Sequence, residues 1–402
     1  MQFQNVFIPY GGYWCTPFVK WQGNFATLHP LIFASDSAKR ALAERNIPPS
    51  EFDALFLGMT VPSKNSFYGA PWLAGLIGAA NITGPTLSQA CATSARVIGS
   101  AAFEVETGDG ANRSILCVTA DRTSNGPHLT YPNPTGPGGK PDAEDWVWDN
   151  FNCDPFARNA MIETAENVAR ECEITTAEQH EVALMRYEQY QAALKDAAAF
   201  HRRYMLTPID VSPSGKKVIA TVKDDEGVFP TSAEGLAKLK PVLPNGTVTF
   251  GAQTYPADGN AGLIVATKER AEGLSQNPKI KIQILAFAQG RARQGFMPMA
   301  NVPAARRVLE LAGIGIDQVK AIKTHNPFAV NDVYFAREMG VKKEAMNNYG
   351  SSLIWGHPQG PTGMRLIMEL IEELVPLGGG YGLFTGCAAG DTAAAIVLKV
   401  GN

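Results

Sequence analysis

The feature that most constrains this chain is an internal repeat. Residues 37–55 match residues 304–322 without a gap, with Ala38, Arg40, Leu42, Ile47 and Ala54 identical to Ala305, Arg307, Leu309, Ile314 and Ala321, all at an offset of 267. Each copy reads as an amphipathic helix, a short turn and a buried strand. Such a unit cannot bury its apolar helix stripe and strand alone, so two copies predict two α/β halves of related topology sharing a core. At 402 residues, 45% of them hydrophobic, the chain is long enough to build that core.

The same offset carries forward. Cys91 falls on Pro358, next to His357, and the apolar run 115–120 falls on 382–387, with a helix expected in between in each half, over 92–107 and 362–374. Between Arg122 and Leu243 the pattern breaks into a Pro/Gly-rich stretch (131–139), two helical segments and a polar loop that have no counterpart in the second half. This is read as an insertion, a place where substrate-covering elements are often built. The expected division is therefore 1–121 with 244–270 as the first half, 122–243 as the inserted loop domain, and 271–402 as the second half. In the insertion, helices are expected over 162–172 and, after a capping box at Thr175-Thr-Ala-Glu, from Gln179 to about Phe200.

Composition excludes several functions. A formal charge of -3 gives no overall field for nucleic acid. No apolar run spans a bilayer and the first ten residues lack signal-peptide character, so a cytoplasmic protein is expected, with no membrane partner. The six cysteines (15, 91, 117, 153, 172, 387) form no Cys-x-x-Cys pair, so free thiols and no metal site are expected.

The chemistry concentrates at matching places in the two halves. Cys91, in Leu87-Ser-Gln-Ala-Cys-Ala-Thr-Ser, sits where a strand gives way to a helix; the helix dipole there is expected to lower its pKa and make it a nucleophile. His357 stands in Gly356-His-Pro-Gln-Gly-Pro-Thr-Gly, whose glycines admit close approach, and an imidazole there can take the cysteine proton. Cys387, in Thr385-Gly-Cys-Ala-Ala-Gly-Asp, and His325, in Thr324-His-Asn-Pro-Phe, follow strands at the same expected edge. Four ionisable groups at corresponding strand ends predict one shared site.

These residues resemble the thiolase family. The Cys91 junction, the Gly-His-Pro-x-Gly-x-x-Gly loop at 356–363 and the Cys387 turn stand in that family's order and spacing, the segment 245–259 resembles its CoA-side loop, and Thr164-Ala-Glu-Asn-Val-Ala resembles its insertion. The resemblance implies a duplicated αβαβα five-layer fold with mixed sheets. It also implies an acyl-CoA acyltransferase in which His357 activates Cys91 to attack a 3-oxoacyl-CoA, and Cys387 serves as the second acid and base. Coenzyme A is then a co-substrate, no cofactor is permanently bound, and a homodimer or larger assembly is expected. Backbone N–H groups of Cys91 and Ala389 hold one oxyanion by this reading, and His325 (with water) and His357 the other.

His325 and Asn326 stand where many thiolases carry Asn-Glu, as in a subgroup resembling the sterol-carrier-protein thiolases, and Ala389 replaces a glycine. Thr254 and Phe328 are expected along the pantetheine arm and substrate. Arg202, Arg203, Lys216, Lys217 or Lys238 are expected at the CoA phosphates. The aromatic N-terminal segment and the basic run 289–294 suit an aromatic or carboxylate-bearing acyl group. One resemblance on this point is benzoylsuccinyl-CoA thiolase, acting on 2-benzoylsuccinyl-CoA with a small zinc-binding OB-fold partner subunit. Two further readings stay open: a decarboxylating ketosynthase-like condensing enzyme, and a non-catalytic thiolase-like binding subunit.

Overall fold

The computed structural model describes residues 1–108, 113–124 and 126–401. In chain order its main strands are β1 (Phe7–Ile8), β2 (Ala54–Gly58), β3 (Thr86–Leu87), β4 (Ser114–Arg122), β5 (Ala257–Ala266), β6 (Lys281–Arg291), β7 (Val319–His325), β8 (Gly380–Ala388) and β9 (Thr392–Gly401). Its main helices are α1 (Pro30–Glu44), α2 (Gly69–Ile77), α3 (Thr93–Thr107), α4 (Met161–Glu171), α5 (Thr176–Ala193), α6 (Asn301–Ala312), α7 (Ala329–Met339) and α8 (Gln359–Leu374).

The strands run β3-β2-β4-β5-β1 in the first half and β6-β9-β8-β7 in the second, joined where β1 pairs with β6; Tyr13–Cys15 and Val19–Lys20 add to β5. In each half two neighbouring strands are parallel and the next is antiparallel: β2 with β4 then β5, and β7 with β8 then β9. The repeat is therefore a repeat of topology. Strands β4 and β8 start 266 residues apart (114 against 380), one short of the offset in the repeated segment.

Period-2 alternation decides the layers. In β2, Leu55 and Leu57 pack outward with α1 and α2, while Ala54 and Phe56 turn inward. In β9, Ala395 and Val397 pack outward with α6 and α7, while Ile396 and Leu398 turn inward. Helices α3 and α8 fill the space between the two inward faces, giving five layers: α1/α2, sheet, α3/α8, sheet, α6/α7. Both sheets are covered on both faces, which is why their strands read as nearly continuous apolar runs.

The insertion carries α4, α5 and the short strand pairs 128–131/142–145 and 209–211/220–222. Helix α5 is capped by Thr175, whose hydroxyl accepts from Glu178 N–H in the expected capping box, but ends at Ala193 rather than near Phe200, because Asp196 to Ala198 take left-handed backbone conformations. Among the described residues no helix is long and apolar enough to cross a membrane.

Every residue of α8 after Gln359 is buried, Arg365, Glu369, Glu372 and Glu373 among them. Arg365 makes two bonds to Asp225 of the insertion (2.7 and 2.9 Å) and one to Glu369 (3.0 Å), between the rings of Trp355 and Phe18. Removing one member strands a buried charge at a cost of about 3–5 kcal/mol, whereas replacing all three with apolar groups is far milder. D225A is therefore expected to lower the thermal unfolding midpoint much more than the D225L/R365M/E369L triple variant. Additive losses in the triple variant would show that the three are not coupled in this way.

Candidate active site

The two parallel strand pairs end at one edge of the molecule, where α3 and α8 begin. Cys91 follows β3 in a tight turn, with Ala92 N–H donating to Gln89 O (2.9 Å), Thr93 N–H to Ala90 O (3.1 Å) and Ala90 at φ 43°. The helix starts two residues later, at Thr93. The backbone N–H groups of Cys91 itself and of Ala389, in the turn after β8, lie near the sulfur and favour its thiolate form. Burial nevertheless pushes the thiol up to about 12, against those two donors. The expectation of a lowered pKa is thus corrected: the half-buried site desolvates the thiolate more than the backbone stabilises it.

His357 precedes α8 and is held by its backbone, with N–H donating to Tyr255 O (2.9 Å) and its carbonyl accepting from Ala257 N–H (3.4 Å). Gly356 makes that approach feasible: at φ 89° a Cβ would lie 2.7 Å from the Tyr255 ring. The Thr362 hydroxyl donates to Pro358 O (2.7 Å), so its contact with His357 Nδ1 (2.7 Å) is one it accepts, and Nδ1 carries the hydrogen. The lone pair is then on Nε2, which is buried without a protein partner.

His325 ends β7 and repeats the arrangement. Ser352 Oγ donates to Asn326 Oδ1 (3.2 Å) and accepts from His325 Nδ1 (2.8 Å), leaving His325 Nε2 as a second buried lone pair. The imidazole centroids are 4.1 Å apart at 33°, and Cys91 Sγ and one nitrogen of each ring lie within 4.8 Å of one another. Burial, then the neighbouring His357, pushes His325 well below the usual histidine value, and burial brings His357 down to about 3. Both rings are neutral at physiological pH. The resting state is thus a thiol beside two imidazole lone pairs, not a thiolate–imidazolium pair.

Cys387, fully buried near the end of β8, accepts from Asn331 Nδ2 (3.3 Å); burial first, and Cys91 next, push its pKa well above the ordinary thiol value. The structure thus brings together Cys91, His325, His357, Cys387 and Ala389. Asn326 lies behind them, its amide donating to Asp332 (2.7 Å) and accepting from Ser352 and Leu353 N–H (3.3 Å), so it supports His325 through Ser352 instead of facing Cys91. Thr254 donates to Ser352 O (2.5 Å), and its N–H to Pro327 O (2.8 Å), while Gln253 pairs with Phe328; this segment flanks the His357 loop.

The cations expected at the CoA phosphates are spread over three parts of the insertion. Arg203 bonds Glu372 O (3.3 Å) near the C-terminal end of α8, about 20 Å along the helix from His357 by its rise per residue, and Arg202 bonds Asp196 O (2.8 Å). Lys216 and Lys217 are on the turn joining strands 209–211 and 220–222, whose apolar residues pack into the outer core with α1. Lys238 differs: the flanking Leu236 and Leu239 pack against Gly251, three residues from Thr254.

Sequence reasoning missed the residues that orient the site: Thr362, Ser352, Asn331, Asp332, and Asp121, whose carboxylate bonds Thr60 and Gly360 N–H (2.6 Å) at the start of α8. Thr362 and Asn331-Asp332 stand in the first turn of the helices that follow the two histidines, which is the signal that could have found them.

The chain matches the model of the thiolase N-terminal domain over residues 13–269 and that of the thiolase C-terminal domain over 278–400. Beta-ketoadipyl-CoA thiolase of Pseudomonas knackmussii is 28% identical over 401 residues, covering 96% of each chain. The 3-oxoadipyl-CoA/3-oxo-5,6-dehydrosuberyl-CoA thiolase of Escherichia coli K12 is 30% identical over 339 residues, 82% of each. Among solved structures, Bacillus anthracis acetyl-CoA acetyltransferase superposes with a TM-score of 0.89 at 25% identity, covering 99% of both chains. Human mitochondrial 3-ketoacyl-CoA thiolase in complex with CoA shares the fold, with a TM-score of 0.88 at 24% identity over 99% of this chain and 98% of that one. With both domain models matched in order across the duplicated halves, the chain belongs to the thiolase family of acyltransferases.

Proposed function

We propose that this chain cleaves, or in reverse forms, the C2–C3 bond of a 3-oxoacyl-CoA through an acyl-Cys91 intermediate. The observation that carries this reading is the Cys91 sulfur within 4.8 Å of a ring nitrogen of both His325 and His357, whose Nε2 atoms are unpartnered, with the N–H groups of Cys91 and Ala389 nearby. As Sγ attacks the 3-keto carbon, Nε2 takes the thiol proton and the two N–H groups receive the ketone oxygen. The C2–C3 bond breaks, leaving the acyl group on Cys91 and the electron pair on C2 of the shortened CoA thioester. Cys387 gives C2 its proton. The Cys387 thiolate then takes the proton of CoA-SH, whose sulfur attacks the acyl group, and Cys91 recovers its proton from His357.

Enolate stabilisation falls to the two histidines. His357, now carrying a hydrogen on Nε2, donates to the thioester oxygen, and His325 Nε2 accepts one hydrogen of a water whose other hydrogen serves the same oxygen. Losing one such donor typically costs about 10²–10³ in rate. Neutral resting groups suit this sequence, because charge appears only as the substrate reacts.

The acyl group we assign to the carboxylate- or aryl-bearing class, such as 2-benzoylsuccinyl-CoA. Gln289 bonds Gln89 (3.1 Å), two residues from Cys91, and Arg291 lies two positions further along the same face of β6, over the Phe156 ring, while Arg293 is paired with Glu171. The relatives named for beta-ketoadipyl-CoA act, by name, on a carboxylated acyl group.

Intact mass after incubation with acetoacetyl-CoA, 3-oxoadipyl-CoA and 2-benzoylsuccinyl-CoA is expected to show the acyl group on Cys91 and none in C91A. No adduct with any 3-oxoacyl-CoA would leave the non-catalytic reading standing, and full activity of C387A would favour the decarboxylating condensing enzyme. Adducts from acetoacetyl-CoA alone, with and without co-purified proteins such as a small zinc-binding OB-fold subunit, would reject the proposed acyl class.

S352A and T362V release the imidazoles without touching substrate; kcat is expected to fall roughly 10–100-fold with KM little changed, and T362S to restore it. Equal loss in T362S and T362V would assign Thr362 a packing role only. K238A is expected to raise KM for CoA about 3–5-fold, as for one exposed charge contact, with kcat unchanged; no salt-dependent change in KM would remove Lys238 from the phosphate site.

A further inference from the structure

We propose that Cys91, His325 and His357 form a three-ligand site for a soft divalent cation of the zinc type, whose occupancy excludes acylation of Cys91. The donor set is one sulfur and two imidazole nitrogens within 4.8 Å of one another, two of the three residues being buried. Each histidine gives its Nδ1 hydrogen to a hydroxyl that has spent its own hydrogen elsewhere, Thr362 on Pro358 O and Ser352 on Asn326 Oδ1. That is the outer arrangement which holds metal-binding histidines in the right tautomer and raises their basicity.

The second observation is what faces the sulfur. Both Nε2 atoms are buried with no protein partner, so two lone pairs share a small space beside the Cys91 thiol. An acceptor pair of this kind is satisfied by a water, a proton or a cation, and beside a thiol the cation that matches sulfur and imidazole together is of the zinc class. With bond lengths of about 2.3 Å to sulfur and 2.0–2.1 Å to nitrogen, a tetrahedral ion needs its donors about 3.3–3.6 Å apart, so side-chain rotation must draw them inward by about 1 Å. The step balances as Cys91–SH plus M²⁺ giving Cys91–S–M⁺ plus H⁺: one metal–sulfur bond forms and one proton is released. The N–H groups of Cys91 and Ala389 lie near that sulfur and favour its thiolate form.

Metal binding itself does not depend on the acyl-transfer reading; only its competition with acylation does, and the two are read separately. The fully reduced full-length protein is titrated anaerobically with Co²⁺, then with Zn²⁺ by calorimetry in two buffers of different ionisation enthalpy. One equivalent is expected, with a thiolate-to-cobalt charge-transfer band, four-coordinate visible bands, and one proton released per Zn²⁺. The charge-transfer band is expected to vanish in C91A and in wild-type protein alkylated at Cys91. S352A and T362V, which keep all three ligands, are expected to weaken the affinity about 10–100-fold. In the acylation arm, Zn²⁺ is expected to suppress the Cys91 adduct and EDTA to restore it. A cobalt spectrum without charge transfer, or stoichiometric binding unchanged in both C91A and the alkylated protein, would overturn the site. Binding with normal acylation would overturn the exclusion, and absence of acylation with an intact cobalt band would overturn the acyl-transfer reading alone.

Discussion

Helix α8 lies between the inward faces of two sheets, and the site depends on how it is held there. Apolar burial of Met364, Leu366, Ile367, Leu370 and Leu374 fixes its depth, since each fully buried side chain of this size contributes roughly 1.5–3 kcal/mol. That force has no direction, and a helix buried on all sides could turn about its axis. The polar residues remove that freedom. Arg365 must meet Asp225, Glu369 must meet Tyr204 (2.8 Å), Glu372 must meet Tyr13 (2.5 Å), and Glu373 must meet Lys323 (2.9 Å), partners drawn from the insertion, the N-terminal segment and β7. With rotation fixed, Thr362 and His357, two residues before the helix, can point only one way.

Much of this architecture was legible in the sequence because it rests on period and repetition. The offset between residues 37–55 and 304–322 marked the duplicated topology, and the placement of His357 opposite Cys91 followed from carrying that offset forward. The end of α5 was not legible: the run to Phe200 keeps good helix formers, and only the chain turning at Asp196 stops it. The partners of the insertion's cations were not legible for a related reason. Charge alone does not say what a side chain on an inserted segment meets, and Arg203 bonds the C-terminal end of α8.

The reversed sign at Cys91 has a different origin. A helix start is a local feature and can be read from spacing, but desolvation depends on what the other half of the molecule places over it. Here β8, the Ala389 turn and two imidazoles close around the thiol, and the field of two N–H groups does not compensate for the lost water. The same enclosure pushes both histidines down, so the groups most able to exchange a proton are both neutral at rest. Reactivity then depends on geometry, because only an attacking sulfur at bonding distance from its target makes the proton transfer favourable.

Geometry at His325 is in turn set from outside the two halves. Arg186, on α5 of the insertion, donates to Asp332 (2.8 Å) with both side chains fully buried; Asp332 holds Asn326, Asn326 accepts from Ser352, and Ser352 accepts from His325. The relay has one donor and one acceptor at each link and no exposed member to exchange its partner for water. A buried ion pair is weak support for stability but strong support for a single arrangement, since any other leaves a charge uncompensated. Helix α5 must be docked before Asn326 and Ser352 have their directions, so the inserted segment determines which nitrogen of His325 faces Cys91.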